Sequence, residues 1–247
     1  MTRLKAFSVH LSISATIFLV LLGFILLRWY PQPYFAYDGG WRGIRIVFSV
    51  DIVLGPLLTL IVFKPGKRWL KFDLAVIALL QLAALTYGVT TVYQQRTALV
   101  VFFRGAFYTV AGSQIPITAP QGPRFIQASH THPTYVAVHL PATRAKRYVI
   151  FTAVFHGAPP PYLRGSLYRK FRARDTLASG INVTKLVKGR PADQRRLAAF
   201  LHGRPASAFA FVPLDCRYRR LLLVIRRHDA KIIGPLEINP YPLFEFY

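Results

Sequence analysis

Residues 47–63, VFSVDIVLGPLLTLIVF, decide how the chain is read. The run is apolar enough to lie in a bilayer, yet it carries Asp51 inside it and Gly55-Pro56 one turn further on. An ionised carboxylate in hydrocarbon costs several kcal/mol unless it is paired, protonated or turned into a cavity. Either the run is not a membrane segment, or Asp51 has a task there. Two further apolar spans decide for the membrane. AFSVHLSISATIFLVLLGFILL (6–27) holds no formal charge apart from a protonatable His10. At 1.5 Å per residue it reaches roughly 33 Å, enough to cross a hydrocarbon core of about 30 Å. The rival reading is a signal peptide, but its apolar core would be shorter and RWYPQP offers no small-x-small cleavage site, so a retained helix is expected. The second span runs over 43–63, and the third, with Gln81, Thr86 and Tyr87, over 74–93.

Charge sets the expected orientation. The amino terminus carries Arg3 and Lys5, and the loop KPGKRWLKF carries Lys64, Lys67, Arg68 and Lys71. By the positive-inside rule both face the cytoplasm. The loop RWYPQPYFAYDGGWR then faces outward, and three crossings put residues 94–247 outside as well, in the periplasm of a two-membrane cell. Trp29, Tyr30, Tyr34, Tyr37 and Trp41 suit an aromatic belt at that outer interface.

The 247 residues carry a net charge of +23, spread unevenly. Residues 1–93 hold nine lysines and arginines against three acids, and residues 94–247 hold 23 against six. The expected organisation is therefore a three-helix membrane region over 1–93 and a basic domain over 94–247, long enough for its own core. In the latter, ALVVFF (98–103), YVAVHL (135–140), YVIFTAVF (148–155), AFAFV (208–212) and LLLVI (221–225) have strand character. HDAK (228–231) makes a hairpin turn, PADQRRLAAFLHG (191–203) has helix start and stop signals, and 162–174 suggests a second short helix. The fold class is a membrane protein with three transmembrane helices followed by a small α+β periplasmic domain.

Several chemistries are weighed against these residues. Asp51 is the single acid inside any span, so the dyad of an aspartyl protease cannot form. Counting along the helices puts Asp51 about 18 Å from the inner face, Thr16 about 15 Å, and Thr86 and Tyr87 about 18 and 20 Å. His10, at about 6 Å, is mismatched in depth. Thr16, Thr86 and Tyr87 are thus the expected interhelix partners of Asp51, which either organises the bundle or serves as a docking or proton-sensing group. Pro56 removes a backbone donor and predicts a kink. His130 and His132 form an HxH pair without a third ligand of suitable spacing, Cys216 lacks an orienting partner, and Asn182 reads as a cap. No cofactor, metal or catalytic residue is expected, and the scattered cations suit anionic lipid or an acidic partner better than nucleic acid.

MTRLKAFSVHLSIS, WYPQPYF, VDIVLGPLLTLIVFKPGK and KFDLAVIALLQLAALTYG, in this order, resemble the type IV pilin accessory proteins of the TfpX/TfpZ group. The resemblance covers roughly residues 1–110; beyond it, VPLDC (212–216) and the last hairpin match loosely. The matching positions are Trp29, Tyr30, Pro31, Pro33, Tyr34 and Phe35 in the outer loop, and Asp51, Leu54, Gly55 and Pro56 in the second span. They continue with Lys64, Pro65, Gly66 and Lys67 in the inner loop, and Asp73, Gln81, Tyr87 and Gly88 in the third span. The resemblance implies an inner-membrane accessory protein, without an active site, that supports assembly or stability of a type IV pilin. Contact with the pilin helix is expected at Asp51, Gly55 and Pro56. The competing expectation is an envelope protein whose basic domain binds anionic lipid or cell-wall polymer.

Overall fold

The computed structural model describes residues 2–30, 34–115 and 133–241. The chain divides into two units, Met1–Arg96 and Thr97–Tyr247.

The first unit holds three helices of membrane length: α1 (Arg3–Trp29), α2 (Gly40–Val62) and α3 (Leu70–Gln95). Thr2 caps α1 by accepting from the Lys5 amide, and Asp73 sits in the first turn of α3, where an acid complements the helix dipole. Large apolar side chains such as Leu19, Val20, Leu79 and Leu80 point outward. In water that surface would be a liability; in a bilayer it is the solvent-facing surface. α2 is the most buried of the three, because α1 packs on its second half while α3 packs along both halves.

Small residues let α2 and α3 approach closely, as helices do where no hydrophobic effect drives them together. A Cβ on Gly88 would stand 2.7 Å from Val47 Cγ2, and one on Gly43 would stand 2.9 Å from Val92 Cγ2. Two stretches of helix are π-wound, Ile25–Trp29 at the end of α1 and Ser49–Leu54 in the middle of α2. The second is the perturbation that Pro56 causes: the ladder changes register in the turn before it.

The second unit is built on a seven-stranded mixed sheet in the order β4-β3-β1-β2-β5-β6-β7. The strands are β1 (Thr97–Phe103), β2 (Ala106–Ala111), β3 (Thr134–Val138), β4 (Tyr168–Lys170), β5 (Phe209–Asp215), β6 (Arg220–Arg226) and β7 (Ile232–Leu236). β1 and β2 form a tight hairpin through Arg104 and Gly105, both at positive φ, as a two-residue turn with the twist of the flanking strands requires. Two parallel pairs, β1 with β3 and β2 with β5, join this hairpin to its neighbours, and β5-β6-β7 run as an antiparallel meander. α4 (Arg144–Phe155) and α5 (Pro191–Leu201) complete the unit. Leu197 of α5 packs with Phe209, Phe211, Leu222, Val224 and Leu236 into one core, and Leu99, Val101, Val110, Val136 and Tyr168 form another.

Three membrane-length helices followed by an α+β unit are therefore what the sequence implied, with two local corrections. YVIFTAVF is helix rather than strand, the second part of α4. Residues 162–174 hold short 3₁₀ turns and β4 rather than a helix. Asn182 caps a one-turn helix, accepting from the Lys185 amide at 3.0 Å.

Candidate functional site at the π turn of α2

The site starts from a missing hydrogen. Proline has no N–H, so Pro56 can donate to neither the fourth nor the fifth residue before it. Gly55 donates instead to the Val50 carbonyl, five residues back, which is the π step. The Asp51 carbonyl therefore has lost its α-register donor to Val50 and its π-register donor to proline. Gln81 of α3 fills the gap: its Nε2 donates to the Asp51 carbonyl at 3.4 Å. The glycine is needed for this, since a Cβ at residue 55 would overlap the Gln81 amide. Asp51, Gly55, Pro56 and Gln81 thus form one constellation, in a kind of turn that recurs at functional sites.

The side chain of Asp51 is 5% exposed, and its Oδ2 has no hydrogen-bond partner. It lines a groove of about 260 Å³ between α2 and α3, together with Gly43, Val47, Ala84, Tyr87 and Gly88. The walls are almost wholly apolar, so Asp51 is the strongest polar feature facing that space. The groove can take up a slender apolar group beside Asp51.

The expected hydroxyl partners are arranged differently. Thr16 donates to the Ser12 carbonyl at 2.9 Å and Thr86 to the Leu82 carbonyl at 2.8 Å, each within its own helix. This back-bonding is the cheapest way to satisfy a hydroxyl that faces lipid. Tyr87 shares the groove but is 76% exposed, with no hydrogen bond from its hydroxyl to Asp51. His10 finds another hydroxyl, bonding through Nδ1 to Thr59, which itself donates to the Gly55 carbonyl at 3.2 Å. Thr59 lies about 24 Å from Gly43 along the helix, the level at which His10 stands in α1. Polar contacts from α1 and from α3 thus both reach the backbone around Pro56's turn, at the Gly55 and Asp51 carbonyls, without involving the Asp51 carboxyl.

The outer-loop residues gather at the other end of the bundle. Tyr30 donates to the Val92 carbonyl at 3.0 Å and stands edge-on to Phe35 at 5.0 Å; Trp29 meets Tyr93 at 4.8 Å. Phe35 is fully buried against Gly40 and Trp41. Tyr30 and Tyr34 therefore turn inward, with Phe35, as a plug instead of forming the expected belt, while Trp41 stays exposed as a belt residue does. Pro31 and Pro33, like the HxH pair His130 and His132, lie outside the described residues. Among the described residues no three His, Cys, Asp or Glu side chains come together as a metal site.

A three-span membrane protein with an appended mixed-sheet unit is the class this architecture defines. Comparison with known proteins narrows it. The family model for the fimbrial assembly protein FimB matches residues 1–39. Over 100 residues, 40% of this chain, it is 35% identical to the fimbrial assembly protein of serogroups C1 and C2 of Dichelobacter nodosus, covering 76% of that protein. It is 36% identical over 100 residues to the serogroup I protein of the same organism, but there the match spans only 39% of the relative's length. The chain belongs to this fimbrial assembly protein family. No solved structure matches it.

Proposed function

We propose that this protein is an inner-membrane accessory in type IV fimbrial assembly, acting on a pilin subunit without catalysis. The observation that carries the reading is the buried, unpartnered carboxyl of Asp51 in an apolar groove, within a chain whose relatives are named for fimbrial assembly. A pilin held in the membrane by one apolar helix needs a lateral surface that is greasy, narrow and marked by a polar group for register. The α2–α3 groove offers those three properties. With the amino terminus cytoplasmic, the carboxy-terminal unit stands in the periplasm beside the pilin head, and it carries most of the net charge.

The test compares surface-sheared with total pilin in the host with and without this gene. Surface pilin lost while the total persists places the protein in assembly; loss of both places it in pilin stability. No change in either overturns the reading and leaves affinity of the basic unit for anionic lipid or cell-wall polymer. Asp51→Asn should lower crosslinking to pilin at unchanged protein level, and equal crosslinking would reject the groove as the contact.

A further inference from the structure

α4 has no buried residue, although it belongs to a well-packed unit. One side of it is held. Phe151 lies under the Arg104 guanidinium at 5.4 Å, Arg164 donates to the Ile150 carbonyl at 3.4 Å, and Arg147 ties the first turn to the Pro141 and Ala142 carbonyls at 3.1 and 2.7 Å. The opposite side is bare. Tyr148 is 70% exposed, Val149 66% and Phe155 89%. At about 100° per residue these three, with the exposed Ala145 and the partly buried Thr152, share an arc of roughly 120°, the width of a core-facing stripe on a globular helix. Here the stripe faces outward. Arg144 falls about 20° outside one edge and Lys146 about 60° outside the other, and α4 holds no acid.

We propose that this face of α4 lies in the headgroup region of the bilayer that anchors the chain. The pattern is that of an interfacial helix: an apolar arc with an aromatic phenol, edged by cations whose long stems can reach up to phosphate. The unit that bears it is strongly basic, which favours an anionic lipid surface over a basic or neutral partner. Its first strand begins at Thr97, two residues after the last membrane-length helix ends at Gln95. The bilayer is thus presented at high effective concentration, so a short stripe of three large side chains is enough to bind. This inference rests on the three spans alone and stands whether or not the protein acts on a pilin.

The test uses the full chain in nanodiscs of phosphatidylethanolamine and phosphatidylglycerol. An environment-sensitive fluorophore is placed by Phe155→Cys on a Cys216→Ala background, with Lys188→Cys, in an exposed turn, as the reference. Nitroxide lipids labelled in the acyl chain should quench the probe at 155 strongly and the one at 188 little. Adding Tyr148→Asp and Val149→Asp should abolish the quenching; both side chains are exposed, so the fold is kept, as unchanged circular dichroism would verify. Equal quenching at 155 and 188 overturns the proposal. So does a probe at 155 that stays in water until pilin is added, which would assign the face to a protein partner.

Discussion

Two aspartates, one in each unit, are equally hidden and oppositely treated. Asp193, third residue of α5, is 6% exposed, and Asp51 is 5% exposed. Asp193 receives Arg190 at 2.6 Å and Arg196 at 3.0 Å, and it sits at a helix amino terminus whose dipole favours an anion. Asp51 receives nothing at Oδ2, and its neighbour Gln81 spends its amide on the backbone. A shortage of cations is not the reason, since the chain has 32 lysines and arginines against nine acids. In the mixed-sheet unit the chain compensates the burial of Asp193 locally. In the membrane unit it satisfies the backbone broken by Pro56 and leaves the carboxyl without a partner, as the proposed contact with a pilin helix requires.

The sharpest way to break this contrast is to remove both carboxylates. Asp193→Ala leaves two cations facing each other across a helix end, and breaking a fully buried pair costs about 3–5 kcal/mol. Because Arg196 is half exposed and can rehydrate, about 2 kcal/mol is the expected loss, read as faster amide exchange in α5 and β7. Asp51→Asn should leave the thermal stability of the detergent-solubilised bundle unchanged or raise it, because asparagine keeps the shape and can never bring a charge into an apolar site. Equal destabilisation by the two would mean that Asp51 is an ordinary structural group.

A second contrast lies within the membrane unit. Gly88→Leu drives a side chain into Val47 and should cost about 1–3 kcal/mol by overpacking, opening the α2–α3 groove and lowering the melting temperature. Gly23→Leu meets open space in α1 and should change the melting temperature little. A similar loss at both positions would argue against a close α2–α3 crossing.

What could be foreseen follows the same division. Long apolar runs specify membrane helices by length alone, so all three were legible, as were β1, β3, β5 and β6 from their β-branched runs. α4 was misjudged because YVIFTAVF has strand composition. Its decisive feature was the preceding RAKR, four good helix formers after Thr143, together with large apolar residues at 148, 149 and 155 at helical spacing. At the site, Asp51, Gly55 and Pro56 were found from one anomaly, but the partner was sought at the wrong depth. The count matched the carboxyl, whereas the group that Pro56 orphans is the carbonyl, which points a turn further towards Gly55. At that level, about 12 Å from the inner end of the span, Gln81 at roughly 10 Å was the polar side chain in reach. That the Asp51 carboxyl itself finds no partner was not readable from one sequence, because it depends on where three helices turn their faces.

The smallest expected effect tests whether local compensation extends to every acid of the basic unit. Asp215 ends β5 opposite Arg220, yet its Oδ1 is buried without a hydrogen-bond partner, and burial pushes its carboxyl above the ordinary 3.8 while Arg220 pulls the other way. The same burial, with Asp215 close by, raises the Tyr241 hydroxyl to about 12. A carboxyl raised on folding binds its proton more tightly in the folded chain. It therefore imposes no penalty below pH 3.8, and a penalty that grows as pH rises through the folded value and is complete above it. Asp215→Asn should accordingly stabilise the β5–β6 hairpin at neutral pH and make no difference in acid. The gain stays under about 1 kcal/mol, because part of the group remains in water, where charge effects are screened. The measurement is amide exchange at Leu214 and Leu222 in wild type and variant near pH 4 and near pH 8. A variant less stable at the higher pH would show that Arg220 more than offsets the burial, so that this acid too is compensated by its own unit and Asp51 stands apart from it.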